Sequence, residues 1–124
     1  MKLYICPICK NLIVMVNDSG VNPSCCNKPM VELHANTVDA AHEKHVPVVT
    51  LENNKVKVEV GSVIHPMSEE HYIDFIILET NKGYQVHKLN KNETPKTTFE
   101  VAEDEKPIAV YEYCNLHGLW KTTI

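Results

Sequence analysis

The sequence has no surplus of basic charge. Twelve basic and sixteen acidic residues leave a formal net charge of −4 and a pI near 5.9, which argues against a nucleic-acid binder, since such proteins usually show a basic stripe. No run approaches the roughly 18 apolar residues of a membrane span. The start, MKLYICPICK, has one lysine, Lys2, ahead of the C-x-x-C that it meets at once. It lacks the long apolar stretch of a secretory leader, so we expect a reducing, cytoplasmic compartment in which disulfides are rare. Internal repeats and low-complexity tracts are absent. Helical patterning is nearly absent too, with only Val38–Lys44 able to make a helical turn. Wholesale disorder is excluded by 44% hydrophobic against 23% charged residues.

What the chain does have is short strands, cysteines and histidines. Its 124 residues suit about one ordinary domain. Residues 1–36 read as a small unit with little core of its own, in which Leu12–Val16 is interrupted by a turn signal at Asn17-Asp18-Ser19-Gly20. A piece that small usually needs a metal or disulfides to fold. Residues 37–124 read as all-β. Seven strands are expected at about 47–51, 55–60, 72–79, 84–89, 97–101, 107–113 and 119–123, and this spacing suggests an immunoglobulin-like β-sandwich.

Strand parity then makes a functional statement. If every connection reverses the chain, segments 42–46, 61–71, 90–96 and 114–118 all lie at one end of the sandwich. That end collects His45, His65, His71, Cys114 and His117. Four imidazoles and a thiolate suit iron, copper or zinc rather than a hard cation. Five protein ligands exceed the usual tetrahedral zinc shell and leave a sixth position of an octahedral iron open to a small molecule. His34, His42 and His87 read as solvated, Cys114 alone would read as a small buried apolar residue, and Trp120 reads as packing under the site.

The other cysteines form a separate set: Cys6 and Cys9, then, after fifteen intervening residues, Cys25 and Cys26. Four thiolates can make a tetrahedral zinc or iron site, and spacing does not choose between the two metals. The adjacent pair is unusual, because neighbouring side chains of an extended segment point apart.

Cys6-x-x-Cys9 with Cys25-Cys26, Glu43-Lys44-His45-x-Pro47, His65-Pro66-Met67 with Glu70-His71, and Cys114-Asn115-x-His117-Gly118-x-Trp120 together resemble the desulfoferrodoxin family of superoxide reductases over nearly the whole length. Asn27, after the cysteine pair, departs from the glycine expected in many relatives. The resemblance implies a desulforedoxin-like domain at 1–36 and a catalytic domain at 37–124. It implies two iron ions: one on Cys6, Cys9, Cys25 and Cys26, the other on His45, His65, His71, His117 and an axial Cys114. It also implies a homodimer, superoxide as substrate and a rubredoxin-like electron donor. Superoxide, one electron and two protons would give hydrogen peroxide. Lys44 is expected to steer the anion, and Glu43 to take the sixth position on ferric iron after turnover.

Three rival readings have separate signatures. A pure electron carrier would bury its metal in a full shell. A zinc module would be colourless. A superoxide dismutase would need no donor.

Overall fold

A computed structural model describes all 124 residues and divides them into two compact units, Met1–His34 and Ala35–Ile124. In the first unit, β1 (Lys2–Ile5) pairs antiparallel with both β2 (Leu12–Met15) and β5 (Val31–Leu33). A two-residue-per-strand hairpin, β3 (Ser24–Cys25) and β4 (Lys28–Pro29), completes it. Its core is small: Tyr4, Cys6 and Met30, with Met15 and Cys25 packed against them.

The second unit begins with a single helical turn, α1 (His42–His45), later and shorter than the sequence pattern suggests. The turn stops there because Val46 precedes Pro47, and a residue before proline is pushed out of the helical region; Val46 sits at φ −66°, ψ 121°. Seven strands follow: β6 (Pro47–Glu52), β7 (Lys55–Val60), β8 (Ile73–Thr80), β9 (Gly83–Lys88), β10 (Lys96–Glu100), β11 (Pro107–Cys114) and β12 (Gly118–Thr123). They form two antiparallel sheets, ordered β10-β7-β6 and β12-β11-β8-β9. This is the expected seven-stranded, immunoglobulin-like sandwich, with each strand within about a residue of its expected limits.

Alternation explains the layers. In β7, Val56, Val58 and Val60 are buried while Lys55, Lys57 and Glu59 are exposed. Those valines pack with Phe99 of the same sheet and with Ile76, Leu78, Val110 and Cys114 of the other. β8 is central in its sheet and reads as a nearly continuous apolar run, as a strand covered on both faces should. Glu112 lies in the same strand as Val110 and Cys114 and is fully buried, with no partner for either carboxylate oxygen.

The edge strand β12 is closed by one residue. The Asn36 backbone N–H donates to the Leu119 carbonyl (3.0 Å). Its side-chain amide donates to the Lys121 carbonyl (3.2 Å) and accepts from the Lys121 N–H (2.9 Å). No helix is long and apolar enough to cross a membrane.

Candidate metal centres

The first centre is built by two tight turns. After Cys6 the chain makes a knuckle in which the Ile8 and Cys9 backbone N–H groups both point at the Cys6 sulfur, each at 3.4 Å. These donors, Cys9 foremost, push the Cys6 thiol down to about 6. Lys10 then adopts φ +66°, a conformation unusual for a side-chain-bearing residue. That turn lets the Asn11 N–H reach the Cys9 sulfur at 3.5 Å. The second turn resolves the difficulty of the adjacent pair. Cys26 and Asn27 have φ +53° and +57° between β3 and β4, the signature of a two-residue type I′ hairpin loop. Cys26 is therefore not in an extended segment, and its sulfur lies 3.9 Å from that of Cys25. Asn27 occupies the left-handed position that asparagine tolerates better than most residues, which is how it replaces the expected glycine.

All four sulfurs lie within 4.8 Å of one another, and Cys9 and Cys25 approach to 3.6 Å. A tetrahedron with metal–sulfur bonds of about 2.3 Å has sulfur–sulfur edges of about 3.8 Å. Thiols this crowded resist ionising together. Sharing with Cys9, and then with Cys25 and Cys6, raises the Cys26 thiol to about 12. A bound cation relieves that repulsion.

The second centre lies where strand parity puts it. α1 carries His45, the loop from β7 to β8 carries His65 and His71, and the turn from β11 to β12 carries His117 next to the strand-end Cys114. Ligand atoms of His45, His65, His71 and Cys114 fall within 4.8 Å of one another. His117 Nδ1 joins them at 3.2 Å from His45 Nε2 and 3.8 Å from Cys114 Sγ, and Cys114 Sγ lies 3.5 Å from His65 Nε2. Two nitrogens at right angles on one ion, each about 2.1 Å from it, sit about 3.0 Å apart.

Outer contacts set the ring tautomers. His45 Nδ1 meets the Ala41 carbonyl at 2.7 Å and His65 Nδ1 meets the Pro66 carbonyl at 2.6 Å. A carbonyl only accepts, so both Nδ1 atoms carry the proton and both Nε2 atoms keep lone pairs for a metal. His71 Nε2 is buried with no hydrogen-bond partner, an orphan that a cation would satisfy. Burial lowers the pKa of all three rings, that of His65 to about 4, which favours the neutral ligand form. Burial raises the Cys114 thiol, while the Leu116 and His117 backbone N–H groups act the other way.

The site is braced from several sides. Trp120 is buried and stacks on His45 at 4.9 Å, and its indole N–H donates to the His117 carbonyl at 3.1 Å. It also meets the exposed His42 ring edge-on at 5.1 Å. His34 is exposed and His87 half-buried on β9, both outside the cluster. Asn115 ties the Cys114 turn to the His71 loop: Oδ1 accepts from the Tyr72 N–H (2.9 Å) and Nδ2 donates to the Glu70 carbonyl (2.9 Å). Gly61 lets the chain after β7 pass against α1. A Cβ there would lie 2.6 Å from the Glu43 carbonyl oxygen and 2.9 Å from the Lys44 carbonyl carbon. That Glu43 oxygen accepts from the Val63 N–H at 2.8 Å and the Ser62 hydroxyl at 3.2 Å. Sequence reasoning passed over Gly61 and the bracing role of Asn115, and a glycine directly after a regular strand is the only cue to the first.

Glu43 and Lys44 are exposed on α1. Lys44 is the residue directly before His45, and its positive charge adds a small lowering to the pKa of His45 and His71 beyond that of burial, while Glu43 acts to raise that of His45. In the 90–96 loop, Lys91 is engaged by Glu69 at 3.1 Å and lies 4.8 Å from the Tyr72 ring centre.

An immunoglobulin-like sandwich with a histidine–cysteine cluster at one end, preceded by a four-cysteine unit, defines a class of two-centre metalloproteins. The sequence profile of the desulfoferrodoxin family matches residues 37–123. A desulfoferrodoxin from Syntrophotalea carbinolica is 44% identical over 98% of this chain and 95% of its own length. The crystal structure of the superoxide reductase from Treponema pallidum superposes with a TM-score of 0.82, at 40% identity and 98% coverage of each chain. A superoxide reductase from Thermococcus kodakarensis is 31% identical over 66% of this chain and 86% of its own. The chain belongs to the desulfoferrodoxin family.

Proposed function

We propose that the protein is a two-iron superoxide reductase. The observation that carries this reading is the convergence of four imidazole nitrogens and the Cys114 sulfur at one end of the sandwich, with the tautomers of His45 and His65 preset for metal binding. Residues 1–36 hold the first iron on Cys6, Cys9, Cys25 and Cys26. Residues 37–124 hold the second on His45, His65, His71, His117 and Cys114. When bound, the second iron supplies the electron and the open position at which superoxide is reduced to hydrogen peroxide.

The protein's own residues supply the rest. Net charge −4 gives an anionic substrate no global attraction. The Lys44 ammonium, on the exposed turn that carries His45, supplies a local positive potential that focuses superoxide on the cluster. Lys44 can also hold the water that delivers a proton. Glu43, next to it on the same exposed turn, is a hard carboxylate donor suited to ferric iron once peroxide has left. Buried Cys114 lies against His65 and His117, and the Leu116 and His117 N–H groups favour its thiolate form. A thiolate ligand stabilises ferric iron and so disfavours the oxidising half-cycle that a dismutase needs. The reading includes a rubredoxin-like donor, a homodimer and a cytoplasmic setting.

The test is metal content, visible spectrum and a superoxide assay on the purified protein. Two irons per chain are expected. Ascorbate should bleach a separate band from the second centre while the tetrathiolate spectrum persists, and superoxide loss should consume donor without evolving dioxygen. Zinc throughout with no colour would make the protein a structural module. Donor-independent loss with dioxygen release would make it a dismutase.

A further inference from the structure

The four sulfurs of the first centre are not equally supplied with hydrogen bonds. Cys6 receives two backbone N–H groups, from Ile8 and Cys9. Cys9 receives one, the Asn11 backbone N–H. Cys25 receives none from the backbone; its donor is the Asn11 side-chain amide, Nδ2 to Sγ at 3.8 Å. The half-exposed Cys25 and exposed Cys26 are thus the electron-rich side of the set. Asn11 is anchored by its own backbone on both sides, because its carbonyl accepts the Cys6 N–H at 2.8 Å while its N–H points at Cys9. One residue therefore touches three of the four ligand residues, and its amide is the only side-chain N–H directed at a sulfur of this set.

The geometry points to Asn11 as the residue that tunes the redox potential of the first centre through Cys25. This rests on the reading that a metal occupies the four-cysteine site. An N–H donor withdraws charge from a thiolate sulfur. Reduction of the centre adds an electron to an already anionic thiolate shell, so each donor favours the reduced state and raises the potential. Backbone donors are common to any chain that makes this knuckle. The Asn11 amide is the one element of the set that side-chain identity controls. It fixes how readily this centre gives up an electron, independently of the histidine–cysteine cluster.

Two measurements test it. The native chain is loaded with cadmium-113 and the scalar coupling between the metal and the Asn11 side-chain amide proton is sought by NMR. Separately, the iron-loaded native protein, Asn11→Leu and Asn11→Gln are titrated with redox mediators, following the thiolate charge-transfer bands. A cadmium–amide coupling is expected. Asn11→Leu should lower the midpoint potential of the first centre and shift its charge-transfer bands, Asn11→Gln should recover part of the difference, and the second centre's potential should not move. A missing coupling in cadmium-loaded protein, or an unmoved first-centre potential, overturns the inference. If cadmium does not bind the four thiolates at all, the two-metal reading fails instead. If Asn11→Leu does not fold, the coupling in the native chain and the Asn11→Gln potential decide.

Discussion

Adding one methyl group at Gly61 should damage the second centre without touching a ligand. A Cβ at this buried position would stand 2.6 Å from the Glu43 carbonyl oxygen, whereas ordinary contact begins at 3.4 Å. The obstacle is backbone, so no side-chain rotation relieves it. α1 or the chain after β7 must give by about 0.8 Å. α1 is a single turn carrying Glu43, Lys44 and His45, so it moves as a unit. Its displacement drags His45 Nε2 away from His117 Nδ1 and loosens the Val63 and Ser62 contacts to the Glu43 carbonyl. Overpacking of this kind costs about 1–3 kcal/mol. A misplacement near 1 Å in a catalytic constellation can cost on the order of 100-fold in rate. Gly61→Ala should therefore lower the unfolding midpoint by several degrees, retain the four-thiolate spectrum, and lose second-centre iron or superoxide reduction by about 10- to 100-fold. Iron analysis, thermal unfolding and pulse radiolysis measure these three quantities. A variant with full second-centre iron and a superoxide rate within about twofold of the native value would refute the argument that this close approach positions α1.

Lys44→Ala should slow superoxide consumption and flatten its dependence on ionic strength, measured by pulse radiolysis across a salt series; an unchanged salt response would remove the steering role. Cys114→Ser should keep the fold, read by circular dichroism, but lose the charge-transfer colour of the second centre, and retained colour would take Cys114 off the iron. Asn115→Ala strips the Tyr72 N–H of its acceptor; we expect a loss of about 1–3 kcal/mol in urea unfolding and weaker second-centre iron in a chelator competition. Glu112, buried without a partner, is held well above the usual carboxylate range by that burial. Its contribution is complete below the unfolded carboxyl pKa near 4.5 and is lost as pH rises, by about 1.4 kcal/mol per unit until the folded pKa is reached. Glu112→Leu should remove that alkaline decline, and urea unfolding at a series of pH values would expose a slope that persists.

The strands were legible because β7 alternates cleanly, β8 and β11 are apolar, and asparagine or glycine turns punctuate several of them. Antiparallel order then made parity sufficient to bring five ligands from three segments together, with no distance known. The adjacency of Cys25 and Cys26 was not legible as a good geometry. It depends on a cysteine in a left-handed conformation, and nothing in cysteine's chemistry announces that. Gly61 escaped notice for a related reason: its importance lies in a neighbour 18 positions earlier, Glu43, and no periodicity couples the two. Glu112 reads as an ordinary polar residue in YEY, and only packing reveals that its carboxyl is sealed in. The helical turn was placed too early because Val38–Lys44 carries helix-compatible residues, whereas Pro47 dictates where the turn ends.

The Asn36 clamp on β12 has a consequence for how the chain can be divided. An open edge strand offers unpaired backbone groups to any other copy that approaches, and such edges are where β proteins stick to one another. Here the bare rung is filled by a residue only two positions inside the second unit. A cut after His34 leaves the sandwich with its seam sewn. A cut after Asn36, two residues later, leaves every ligand of the second centre in place and opens the seam, so that the shorter piece, with the same iron site, should be the one that self-associates.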